Sequence, residues 1–215
     1  MGHRTTEWEL KGYLMGSKMQ TGLLLILGTV VSLVGWMAIY PGDDSATAES
    51  AAALMADPTL AKLGMLMGFG GMGAVFIGFL NISRKMAAGD GAGSSYANIS
   101  AIMAMTLVVM MAIGISIEWA VTEASDATEG ARLMLHSAAL ETPFSLGGGL
   151  LLVLLGVGII LEKNFHIIIG GLAVVAGAGF LLGNVDEIDV VGFIGWIGMM
   201  LVALALGVQT LRSKS

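Results

Sequence analysis

Residues 101–130 read AIMAMTLVVMMAIGISIEWAVTEASDATEG. From Ala101 to Ile117 the run carries no charge; it then meets Glu118, and Glu123, Asp126 and Glu129 come within the next eleven residues. An apolar helix of about 20 residues crosses ~30 Å of hydrocarbon, so this run reads as a membrane span that ends where the acids begin. Trp119 has the amphipathic ring that favours the headgroup level. Glu118 then sits in the last helical turn, at the edge of the apolar slab rather than deep within it. A carboxylate at the carboxyl end of a helix opposes the macrodipole, so Glu118 requires a partner or local water.

The remainder of the chain repeats the pattern. Of 215 residues, 56% are hydrophobic and only 12% charged, about half the charge of a soluble domain, and the mean hydropathy is +0.86. Six apolar blocks lie at about 19–40, 59–82, 98–120, 143–161, 166–185 and 190–211. The fold class expected is therefore all-α: an integral membrane bundle of six transmembrane helices, with short interfacial helices on the outer rim and an N-terminal amphipathic helix. Residues 1–18 supply that helix, through Trp8, Leu10, Tyr13 and Leu14 with Lys11 and Lys18. Residues 19–212 form the membrane domain and 213–215 a short tail.

Basic residues set the orientation. With both termini cytoplasmic, Arg4, Lys11, Lys18, Arg84, Lys85, Lys163, Arg212 and Lys214 lie inside, and only Lys62 and Arg132 outside. A multi-pass protein of the plasma membrane is expected, in contact with lipid and not with nucleic acid. Most acids fall on the opposite, outer side.

The first two outer loops share a grammar: an acidic start, an Ala/Leu/Met stretch, then an Asp-Pro or Thr-Pro pair. Short rim helices are predicted at about 45–56 and 126–141. Asp57 and Thr142 are the expected N-caps, with Pro58 and Pro143 at the first helical position, and Asp126 with Glu129 has capping-box spacing. Pro143 is the expected break before the fourth span. The inner loop at 87–95, AAGDGAGSS, reads as a flexible linker.

Glycine dominates the spans, with 32 in the chain. Gly64, Gly68 and Gly71 in the second span, Gly170 and Gly179 in the fifth and Gly195 in the sixth are expected at helix-packing positions, where small residues let backbones approach. Their faces either close the bundle or dock a partner.

Chemistry is sparse. No Cys is present, which removes thiol catalysis and Cys-ligated metals. The span middles hold no ionisable residue, the usual mark of a proton or ion path in a membrane, and no catalytic constellation is legible. His136 shares the outer rim with Glu118, Glu141 and Asp186, and these four are the candidate metal residues, for a divalent metal or copper. The alternative for the same residues is a solvated acidic rim.

The segments LAKLGMLMGFGGMGAVFIGFLNISRKM (60–86) and LHSAALETPFSLGGGLLLVLLGVGII (135–160) resemble small uncharacterised prokaryotic six-span proteins of a domain-of-unknown-function family. That resemblance implies a prokaryotic membrane and six helices, and it carries no activity. The leading functional expectation is a non-catalytic accessory or structural subunit, packing through Gly-rich helix faces against other membrane subunits or itself. A cation or small-solute channel or transporter with an acidic outer vestibule is one alternative. An outer-rim metal-binding subunit of a membrane redox complex is the other.

Overall fold

A computed structural model of the chain describes residues 16–42, 47–184 and 189–213. The segment expected to form an N-terminal amphipathic helix lies almost wholly outside these residues, as do Asp186, Glu187 and the last two residues. Eight α-helices are described: α1 Lys18–Val34, α2 Thr47–Ala56, α3 Pro58–Ala87, α4 Ser94–Val121, α5 Ala127–Ala138, α6 Glu141–Glu162, α7 Ile167–Leu182 and α8 Asp189–Arg212. The all-α class is thus as expected, and both rim helices form, as α2 and α5.

Five helical stretches are long and apolar enough to cross a membrane: Lys18–Ile39, Pro58–Ala87, Ser94–Val121, Ala127–Glu162 and Val190–Arg212. The other apolar helix, Ile167–Leu182, has 16 residues, about 24 Å at 1.5 Å per residue. That falls short of ~30 Å of hydrocarbon.

The apolar helices form a closed ring in the order α1, α3, α4, α6, α7, α8, and α8 returns to α1. Consecutive helices are neighbours in space, as short connections dictate. The start of α1, the end of α3, the α6–α7 turn and the end of α8 meet at one end of the ring, so Lys18, Lys85 and Arg212 share that end. The ring is filled. Phe76, Phe79, Leu107, Leu151, Leu155, Met199 and Leu206 are fully enclosed and belong to one continuous core.

Glycine sets the helix spacing. A Cβ on Gly71 would lie 2.6 Å from the Gly28 carbonyl of α1, one on Gly68 2.6 Å from the Trp36 ring, and one on Gly64 2.7 Å from the Tyr40 backbone. A Cβ on Gly170 would stand 3.0 Å from the Gly156 carbonyl of α6; across α7 and α8, one on Gly179 would meet Gly195 Cα at 3.0 Å and one on Gly195 the Phe180 nitrogen at 2.6 Å. All six glycines singled out by spacing therefore face a neighbouring segment of the same chain.

Local sequence explains the helix ends. Asp57 caps α3, accepting from Leu60 N–H at 3.0 Å, and Asp126 caps α5, accepting from the Thr128 and Glu129 N–H groups at 2.9 Å each. The reciprocal arm of that box is shifted by one residue: Glu129 accepts from the Ser125 N–H and hydroxyl, at 2.8 and 2.6 Å.

Two expectations are corrected. The break before α6 falls at Ala139–Leu140, and Leu140, with no side-chain bond, is the N-cap rather than Thr142. Pro143 occupies the third helical position, where its missing N–H has no intrahelical partner to lose. The carbonyl its ring would crowd, four residues back, belongs to Ala139, already outside the helix. The linker at 87–95 is docked: Gly93 N–H donates to Glu162 Oε1 at 2.8 Å. The carboxylate of α6 thereby caps the start of α4, where the helix dipole favours negative charge.

Glycine placement makes a differential prediction. Gly71→Ala and Gly195→Ala press a methyl onto backbone and should cost about 1–3 kcal/mol, whereas Gly70, with nothing within 4 Å of its Cβ direction, should gain up to about 1 kcal/mol as Ala. Thermal unfolding in detergent reads both signs.

Candidate functional site

The end of the ring opposite Lys18, Lys85 and Arg212 carries a second apolar cluster, separate from the main core. Ala51 and Leu54 of α2 pack with Ala61, Met65 and Phe69 of α3 and Val121 of α4, flanked by Trp36, Tyr40, Met55 and Leu133. Helices α2 and α5 lie against each other, and Gly130 admits the Met55 sulfur, which a Cβ would approach to 2.7 Å. Together they cover the α1–α3–α4 sector.

Beneath this cover lies Glu118, only 6% exposed. The Tyr40 hydroxyl donates to its Oε2 at 2.7 Å and the Ser137 hydroxyl to its Oε1 at 2.9 Å. The expected partner exists, but Glu118 is not at an open shore: the rim helices fold over it.

A distortion of α1 delivers Tyr40. Residues Gly35–Ile39 form a π-helical turn, closed by Tyr40 N–H donating to the Gly35 carbonyl at 2.8 Å. Such turns insert a residue and re-aim the chain beyond them, often at functional sites. Gly35 is bare where it presses on the Gly68 backbone, so the widened turn fits against α3. Trp36 stands edge-on to both Tyr40 and Phe69, with centroids 4.7 Å apart in each pair, and so braces the phenol. Sequence reasoning missed Tyr40 and Ser137. The available signals were a tyrosine closing the first span before Pro41, and a serine one place after His136.

A second polar group lies just outside. Lys62 Nζ is 2.8 Å from Glu123 Oε1 and 4.7 Å from the Trp119 ring centroid, while the Trp119 indole N–H donates to the same carboxylate oxygen at 3.2 Å. The Lys62 hydrogen bond and charge hold the Glu123 carboxyl below its ordinary range, and the Ser125 hydroxyl and N–H do the same for Glu129.

Of the four candidate metal residues, three are described, and they stand in different surroundings. Glu118 is enclosed between Tyr40 and Ser137; His136 and Glu141 are exposed; Asp186 lies outside the described residues. Ser137, not His136, faces the carboxylate. Among the described residues no three His, Asp or Glu side chains converge as a metal set. Chemically, the Glu118 site can exchange a proton or hold a small cation through one carboxylate and two hydroxyl oxygens. Comparison with family models, with curated proteins and with solved structures finds no match.

Removing Glu118 takes away the acceptor of the Tyr40 and Ser137 hydroxyl bonds, so Glu118→Ala should cost about 1–3 kcal/mol. Tyr40→Phe, which removes one bond, should cost less, and the exposed Glu49→Ala close to nothing. Thermal unfolding ranks the three, and hydrogen exchange should localise the loss to α2 and α5.

The acid limb of stability has a definite sign. Carboxyls lowered by folding add stability above the ordinary value of 4.5, and that contribution disappears as pH falls through the folded pKa. Glu123→Gln should therefore flatten the fall of Tm below about pH 4.5 while leaving Tm at neutral pH little changed, because the pair is exposed.

Proposed function

We propose that the protein is a non-catalytic membrane component, an accessory or structural subunit, with six spans and both termini on the cytoplasmic side. The carrying observation is the closed and filled ring. Phe76, Phe79, Leu155 and Met199 occupy its interior with no exposure, so the ring encloses packing rather than a water path. Three hydroxyls within the slab turn back on their own helices: Thr29 donates to the Leu25 carbonyl, Thr106 to that of Ile102, and Ser116 to that of Ala112.

The docking face is reassigned by this reading. The six packing glycines face segments of the same chain, so the partner surface moves to α4, the least enclosed of the five long apolar stretches. Its exposed residues Ile99, Ile102, Thr106, Val109, Ile113 and Ser116 recur at alternating spacings of three and four, the seam that helix pairs use. Multi-pass topology in a prokaryotic plasma membrane belongs to the same proposal.

A Cys-free chain gives a clean test. Ile102→Cys or Val109→Cys should crosslink to a second copy or another subunit in native membranes, while Val175→Cys, 66% exposed on α7, should not. A strict monomer without crosslinks that co-purifies with nothing overturns the proposal.

One observation favours a second reading, a cation or small-solute site at the outer end: the enclosed Glu118 carboxylate with its two hydroxyl donors. Cation flux into proteoliposomes that is identical for wild type and Glu118→Gln rules this out. The rim-metal reading extends it to the exposed His136, and metal content unchanged in His136→Ala removes that extension.

A further inference from the structure

At the basic end of the ring, opposite Glu118, a cavity of about 210 Å³ opens between the start of α1, the end of α3, the α6–α7 turn and the end of α8. Its volume equals roughly seven waters at ~30 Å³ each. Among the described residues its lining includes Lys18, Asn81, Lys85, Asn164, Gln209 and Thr210, and no carboxylate. The described lining is rich in donors and cationic.

Hydrogen bonding leaves its neutral donors in place. Gln209 Oε1 accepts from the His166 N–H at 3.2 Å, so its amide nitrogen remains as donor. Asn81 Nδ2 gives one bond, to Thr21 Oγ1 at 3.3 Å, and carries a second hydrogen. Thr210 is 8% exposed, and its buried hydroxyl has no hydrogen-bond partner. That oxygen is itself enclosed, so the hydroxyl stands behind the cavity wall and the donors that face the cavity are the two amides and the lysines.

Gln209 also borders a shallow apolar face of α8 formed by Leu204, Ala205 and Val208, with Arg212 one turn beyond Val208. These residues lie along one helix face, and Leu201, 50% exposed, continues it into the slab. A polar cationic cavity thus adjoins an apolar track across one side chain.

We propose that this composite site binds an anionic phospholipid, its phosphate in the cavity beside Lys85, Asn81 and Gln209 and one acyl chain along the Leu204–Val208 face of α8. The phosphate supplies acceptors to Lys85 and the two amides, and the track accounts for the tail, which a free phosphate would leave unused. Basic pockets between membrane helices at the cytoplasmic surface are recurrent headgroup sites. The inference stands independently of the docking face on α4.

Native mass spectrometry of the full chain released from detergent tests it, with phosphatidylglycerol, phosphatidylcholine and inorganic phosphate as probes. Phosphatidylglycerol should be retained over phosphatidylcholine, and Lys85→Gln should weaken it about fivefold, the effect of one basic residue near an anionic surface. Val208→Trp, at an exposed position on the track, should weaken it without altering the cavity, and Lys62→Gln at the far end should not. Thermal unfolding of each variant confirms that it is folded. Equal retention of the two lipids, or retention unaffected by both Lys85→Gln and Val208→Trp, overturns the proposal. Inorganic phosphate that displaces the lipid and stabilises the protein equally well overturns the lipid assignment in favour of a soluble anion.

Discussion

Everything in this molecule depends on backbone meeting backbone. Between lipid-immersed helices there is little hydrophobic contrast to gain, so association rests on close packing, and here the closeness is built from paired glycines. Gly28 meets Gly71 between α1 and α3; Gly149 meets Gly177 and Gly156 meets Gly170 between α6 and α7; Gly179 meets Gly195 between α7 and α8; Gly22 meets Gly207 where α8 closes on α1. At such distances Cα–H groups approach carbonyl oxygens of the facing helix, a contact worth about 0.5–1 kcal/mol each. The pairs recur around the ring, so the spacing of the earlier interfaces determines how the last one closes.

The two contacts of α4 with its ring neighbours lack such glycine-to-glycine pairs along their length, and α4 is secured differently. Glu162 of α6 holds the Gly93 N–H at its start, where Gly93 also lies close to the Gly158 carbonyl. Near its other end, Glu118 takes bonds from Tyr40, just past α1, and from Ser137 of α5. Between these anchors Ser100 donates to the Leu151 carbonyl at 3.3 Å and lies 3.1 Å from the Ser83 hydroxyl. Two carboxylates and a hydroxyl pair therefore replace glycine contact on the least enclosed of the long helices. Polar bonds keep their geometry without tight enclosure, which leaves the outer face of α4 available.

The apolar blocks, both rim helices and the Asp57 and Asp126 caps were legible because each rests on a local rule: a length, a cap residue, a spacing. The packing glycines were legible for the same reason, although spacing alone did not say which helix each would meet. What escaped was non-local. The burial of Glu118 arises because α2 and α5 fold over it, and no pattern within residues 101–130 encodes that cover. The π-helical turn at Gly35–Ile39 depends on Gly68 across the interface, and composition alone made the 87–95 loop look loose although Glu162 lies 69 residues from Gly93. Pro143 misled differently: proline is tolerated throughout a first helical turn, so it locates a helix start only to within a few residues.

The seam between α1 and α3 joins the two polar ends of the molecule. At one end Thr21 and Asn81 share a hydrogen bond beside the basic cavity; at the other, Gly35 lies on the Gly68 backbone and Tyr40 on Gly64, next to Glu118. Between them Leu25 packs onto Gly78 and Gly28 onto Gly71. Backbone contacts of this kind have no flexible side chain to absorb a displacement, and close-packed interiors transmit strain instead of yielding to it. A slide of α1 along α3 would break the glycine contacts together, so Tyr40 is held at Glu118 by the full length of the seam and not by its own turn alone. The filled core separates the Glu118 carboxylate from the basic cavity, while this one interface ties their geometries together.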